Sequence, residues 1–267
     1  MFGFDLSLPG VALRGRGAPP LWTPAQLGSV LVGWWDASDD LSLTKEESRI
    51  GSWQNKGTGA PSAIQANDAF RPIVLRSGIN ARQALYFSGS QSLNIEAFVQ
   101  TAQRTIAAVF QPDNVGSGTR GVYDIDANVS PRIGQAIRQT SASVQSIAFA
   151  ASGTAVTAGS GSVLAAATPN ISVAHLPAAQ LSLFNNGALS GAGTISGAVA
   201  SGSHAASIGN APVVAAGFVG FIGEVIHAQG AITDANRQRL EGYLAWKWGM
   251  QAMLPENHPY KSATPTA

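Results

Sequence analysis

The chain of 267 residues has no cysteine. That excludes a disulfide scaffold, a thiolate metal site and a cysteine nucleophile. Charge is scarce as well: Asp, Glu, Lys and Arg make up 12% of the residues, about half the ordinary level of about 25%. Sixteen basic and 15 acidic residues leave a formal charge of +1, which gives neither nucleic acid nor an anionic membrane an electrostatic footprint. No apolar run approaches the roughly 20 residues needed to span a bilayer. The N-terminal stretch lacks the order of a signal peptide, because Arg14 and Arg16 follow its apolar residues instead of preceding them. The expectation is a protein made in the cytoplasm, without membrane insertion and without a nucleic-acid partner.

What is present is 45% hydrophobic residues, 30 glycines and alanine at roughly one residue in six. Enough apolar surface remains to fold, and the length suffices for a large core without staples. Residues 1–24 read as an N-terminal arm with a Pro/Gly linker. Phe2, Phe4, Leu6 and Leu8 alternate with Gly3, Asp5 and Ser7, a period-2 strand signature. Such a strand either opens the domain or adds to a neighbour's sheet as an assembly anchor. Residues 25–267 read as one domain. Short apolar runs at 30–35, 50–53, 84–87, 105–110, 147–150, 170–175, 180–184, 206–208 and 218–227 are separated by Gly, Asn, Asp and Ser. Many short strands with turn signals predict an all-β antiparallel sandwich or jelly roll. Asn185-Asn186-Gly187 lies between LSLF and ALSG, the composition of a type I′ hairpin. Near the end, Thr233 followed by Asp234 predicts a helix start, and Gly249 a helix stop. Over about 233–248, Arg237, Leu240, Leu244 and Trp248 form one stripe with Tyr243 and Lys247 beside it. The helix is expected to lie as a lid on the sandwich edge.

Several segments together resemble the concanavalin A-like, laminin-G-like jelly-roll domains found in tailed-bacteriophage virion proteins. They are LVGWWDASD, RIGSWQNKG, ALYFSGSQSL, RTIAAVFQP, LFNNGAL, GFIGEVIHAQGAITDANRQRLEGYLAWKWGM and LPENHPYK. The resemblance covers about residues 31–261, with residues 115–200 matching weakly. It implies two antiparallel sheets, frequent carbohydrate binding and no shared catalytic machinery. In that family the position of Glu224 usually holds an acidic residue tying the strand to a neighbouring loop, so Glu224 reads as structural.

Candidate sites follow from residue chemistry. Aromatic faces stack on sugar rings. Trp53, followed by Gln54, Asn55 and Lys56, is the candidate for an exposed platform. Asp124 and Asp126 share a strand face if VYDID is extended, and with Trp53 and Asn55 they complete the glycan-contact set; the two aspartates also read as residues of a turn or hydrogen-bonded loop. They do not form the Glu-x-Asp-x-x-Glu signature of hydrolases with this fold, so no catalytic residue is assigned. Asp36, Asp39 and Asp40 offer hard oxygens that would suit calcium. Their spacing is not an EF-hand loop, and they also read as turn residues, so no cofactor is assigned. The histidines 175, 204, 227 and 258 make no H-E-x-x-H pair. The expectation is a non-enzymatic virion structural protein, made in the host cytoplasm and homo-oligomeric in the particle. It would be a tail fibre or tail-tip component that binds a host-surface glycan or other virion proteins. The alternatives are a capsid decoration or head-fibre protein, and, disfavoured, a glycan hydrolase.

Overall fold

A computed structural model describes residues 20–125, 133–159, 163–211 and 216–267. Two antiparallel sheets face each other. The first runs Leu31–Asp36, Val219–Gln229, Arg104–Pro112, Asn170–Leu176, Gln180–Asn185 and Ala188–Thr194 in spatial order. The beginning of Val219–Gln229 pairs with Arg82–Ser88 along the same edge that Leu31–Asp36 takes further on. The second runs Ala155–Ala158, Ser143–Phe149, Gln135–Thr140, Thr119–Asp124, Gly202–Ile208 and Leu93–Gln100. It continues through Ala63–Ile64, Arg49–Trp53 and Leu43–Glu46. Each of the nine expected apolar runs lies within or overlaps a strand. The expected hairpin is formed as well. Asn186 and Gly187 have φ of 50° and 80°, the left-handed pair that a type I′ turn requires.

Side-chain alternation divides the first sheet between two cores. Ile106, Ala108, Phe110, Ala174, Leu176 and Val225 point between the sheets, where Trp35, Trp53, Phe87 and Tyr123 meet them. Ala107, Val109, Ile171, Val173, Ile226 and Ala228 point the other way. The helix Asp234–Lys247 covers that outer face through Leu240, Leu244 and Ala245, with Trp248 directly after it. A sheet buried on both faces explains why its strands read as continuous apolar runs. The helix is therefore a third layer spread over the face of the sheet, correcting the expectation of a lid on the edge. Its ends are as expected. The Thr233 side chain accepts from the Asn236 N–H at 3.2 Å, and Gly249 takes φ 67° just past the end.

The fold starts earlier than the composition suggests. Trp22, which falls in the expected linker, is only 4% exposed. Its backbone N–H donates to the Pro265 carbonyl at 3.0 Å, and that of Ala267 donates to Pro20 at 2.9 Å. The two ends of the domain are thus tied together, with Leu21 bridged to Thr266. Phe2, Phe4, Leu6, Leu8 and Asp126 lie outside the described residues.

Candidate functional site

The helix sets Tyr243 and Lys247 one turn apart, on the flank that borders the tied chain ends. Trp22 stands edge-on to Tyr243 at 6.3 Å, and Trp34 meets the same ring from the sheet at 6.4 Å. Trp246 is steadied by its indole N–H, which donates to the Tyr260 carbonyl at 2.9 Å. Between them opens a groove of about 320 Å³, lined by Leu21, Trp22, Thr23, Tyr243, Trp246, Lys247, Thr264 and Pro265. That volume lies at the small end of the roughly 300–1,000 Å³ of ligand pockets, and an apolar, aromatic lining with a few polar groups is their usual make-up.

A network of ionised groups underlies the groove. Lys247 Nζ lies 2.7 Å from Asp36 Oδ2 and 2.8 Å from Glu224 Oε2, and donates to the Tyr243 hydroxyl at 3.1 Å. Glu224, with no exposed surface, accepts from the Trp34 indole at 2.7 Å, from the Trp248 indole at 2.8 Å and from the Tyr243 hydroxyl at 3.0 Å. Burial raises its pKa above the ordinary carboxylate value, outweighing Lys247. Burial acts in the same direction on Asp36. There the charge and hydrogen bond of Lys247, with help from Ser38 and Lys56, win and hold the carboxyl below its ordinary value. Glu224 was expected to tie its strand to a loop; it ties it to the helix and to Trp34.

The residues singled out in the sequence are placed elsewhere. Trp53 is wholly buried in the inter-sheet core, which corrects its reading as an exposed platform: its indole is covered by the opposite sheet. Asn55 is occupied with the backbone, its Oδ1 accepting from Trp34 and Gly57 and its Nδ2 donating to Val32. Asp124 is buried, with the Arg138 guanidinium 2.6 Å away. The three aspartates near residue 36 face lysines instead of one another. Asp36 meets Lys247 and Lys56, Asp39 meets Lys56 at 2.8 Å, and Asp40 pairs with Lys45. Each of the three acids is thus matched by an ammonium. Among the described residues no group of three or more acidic or histidine side chains is disposed to hold a metal. Sequence reasoning missed the groove. Its only signal was Tyr243 and Lys247 beside the helix stripe, because Trp22 sits at the opposite end of the chain.

No family model matches the chain, and no curated protein matches it. Solved structures do share its fold. Domain 4 of AbnA, an extracellular GH43 arabinanase of Geobacillus stearothermophilus seen in complex with arabinotriose, superposes with a TM-score of 0.56 at 14% identity. The match covers 79% of this chain and 98% of that domain. The binding domain of Paraclostridial Mosquitocidal Protein 1 gives 0.55 at 10% identity over 79% of this chain and 52% of the other. Trypanosoma rangeli sialidase in complex with sialic acid gives 0.55 at 14% identity over 86% of this chain, which spans only 36% of the sialidase. At these identities the likeness is one of fold, and the class it defines is the antiparallel β-sandwich.

Proposed function

We propose that this chain is a non-enzymatic β-sandwich binding module that takes a glycan in the groove between the helix and the tied chain ends. The observation that carries the reading is the meeting of the partly exposed rings of Tyr243 and Trp246 in one open groove, backed by the buried Trp22, since aromatic faces are the natural platform for the apolar faces of sugar rings. A solved domain of the same fold in complex with arabinotriose supports it as fold-level analogy. The resemblance to phage virion domains suggests a setting for such a module. It would stand on the outside of a particle as a tail fibre or tail-tip component, or as a decoration protein.

A hydrolase reading has one point in its favour. Asp36 and Glu224 converge on Lys247 with their pKa values displaced in opposite directions, as in an acid–base pair. Against it, Glu224 has no exposed surface and its oxygens are taken by two indoles, a phenol and an ammonium. A glycosidic oxygen has no approach to it. The pair is read as structural.

Calorimetric titration of neutral oligosaccharides tests the proposal. Removing the ring in Trp246→Ala is expected to weaken binding about tenfold or more, the usual scale for truncating an aromatic anchor. Binding that is indifferent to Trp246, with the fold intact by circular dichroism, would place the ligand elsewhere.

A further inference from the structure

The groove's electrostatics decide which glycans it accepts. Lys247 is the sole cation in its lining among the described residues. An ammonium has three N–H donors, and the Lys247 nitrogen has three polar partners at close range: Asp36 at 2.7 Å and Glu224 at 2.8 Å as ion pairs, and the Tyr243 hydroxyl at 3.1 Å. The other lining residues are uncharged. Lys56, the next cation of the network, is engaged by Asp39 at 2.8 Å and by Asp36 at 3.4 Å, and lies over the Trp34 ring at 4.4 Å. Three acids, Asp36, Asp39 and Glu224, therefore face two lysines beneath the groove. Sites that hold a carboxylate or sulfate present free guanidinium forks or uncommitted N–H donors. An anionic sugar entering here would have to strip Lys247 from a partner, leaving a buried carboxylate uncompensated. It would also lie against the carboxylates behind it. A neutral sugar meets neither cost, because its C–H faces need only the rings and its hydroxyls only the Thr23 and Thr264 side chains and the solvent.

We infer that the groove is selective for uncharged glycans and rejects those carrying carboxylate or sulfate. This rests on the proposed glycan-binding function and specifies its ligand class. The test is calorimetric titration of the full chain with matched oligosaccharides that are neutral or carry a terminal sialic or uronic acid. The neutral member is expected to bind at least about tenfold more tightly, and Trp246→Ala is expected to weaken that binding about tenfold or more. Asp36→Asn removes one negative charge behind the groove and loosens the hold on Lys247, which should narrow the difference between the matched sugars, with tryptophan emission confirming the fold. If the acidic sugar binds as tightly as the neutral one and its binding is weakened by Trp246→Ala, the selectivity is wrong while the glycan function stands. If neither kind binds, both fall.

Discussion

Glu224 is the residue on which the first strand, the long strand and the helix meet. Its carboxylate joins Trp34, Tyr243, Lys247 and Trp248. In Glu224→Gln, Lys247 keeps Asp36 but loses a charge-assisted contact, and the indoles keep only a neutral acceptor. A cost of about 2–3 kcal/mol in urea denaturation is expected, the range for hydrogen bonds to buried charges. A change under about 0.5 kcal/mol, the level of an ordinary surface substitution, would show that the network is idle. His227 gives the second residue-scale prediction. It is enclosed between the sheets, with Nδ1 3.0 Å from the Tyr123 hydroxyl, and burial pushes its pKa from 6.5 down to about 3. The folded state therefore resists a proton that the unfolded chain accepts below pH 6.5. Its contribution is fully present above that pH and is lost as pH falls toward 3, at up to about 1.4 kcal/mol per pH unit. His227→Gln should flatten the stability profile between pH 6 and 4 relative to the parent. Parallel profiles would mean that His227 is protonated in the fold.

At the scale of elements, the helix depends on its seat. Leu240, Leu244 and Trp248 are fully buried against the outer face of the first sheet. Gly223 makes room for the last of them, since a Cβ there would sit 2.6 Å from the Trp248 ring. Leu244→Ala should cost about 2–5 kcal/mol, measured by chemical denaturation. A much smaller loss would mean that the helix is not docked. This helix was legible in the sequence because capping residues, apolar spacing and the terminal glycine agree with one another. The long apolar strands were legible for a different reason: burial on both faces leaves no polar position to blur them. Leu43–Glu46, with Thr44, Lys45 and Glu46, was not, because exposed polar residues carry little strand signal. Trp53 was misjudged because period-2 alternation says that two faces differ but not which one a distant sheet will cover. The polar residues after it belong to the loop, where Asn55 binds backbone. The groove was illegible since it joins Trp22 to a helix more than two hundred residues later, a juxtaposition that no local pattern encodes.

For the whole molecule, the scarcity of charge follows from the layering. A sheet covered on one side by a second sheet and on the other by a helix has few solvent-facing positions, and charged residues are almost never fully buried unless paired. Among the buried ionisable groups, Asp124, Glu224, Arg237 and Glu241 conform, each with an opposite charge within 2.6 to 2.8 Å, whereas the fully buried Arg104 is bonded to Gln135 and the Gly134 carbonyl, at 3.4 and 3.5 Å. This layering bears on the arm. Together the two hydrophobic clusters draw on residues from Trp22 to Leu254, and the entry to the domain is fastened by the bonds between Pro20–Trp22 and Pro265–Ala267. Deleting residues 1–16 removes Phe2, Phe4, Leu6 and Leu8 but none of those fastenings. The truncated protein is expected to keep its circular dichroism and to melt within about 2 °C of the parent, while losing its ability to join a higher assembly, followed by light scattering or by incorporation into particles. The anchor reading requires both results. A fall in Tm of more than about 4 °C, which at this size corresponds to more than about 1 kcal/mol, would mean that the arm completes the domain's own sheet. Unchanged assembly would mean that the apolar face of the arm serves no partner.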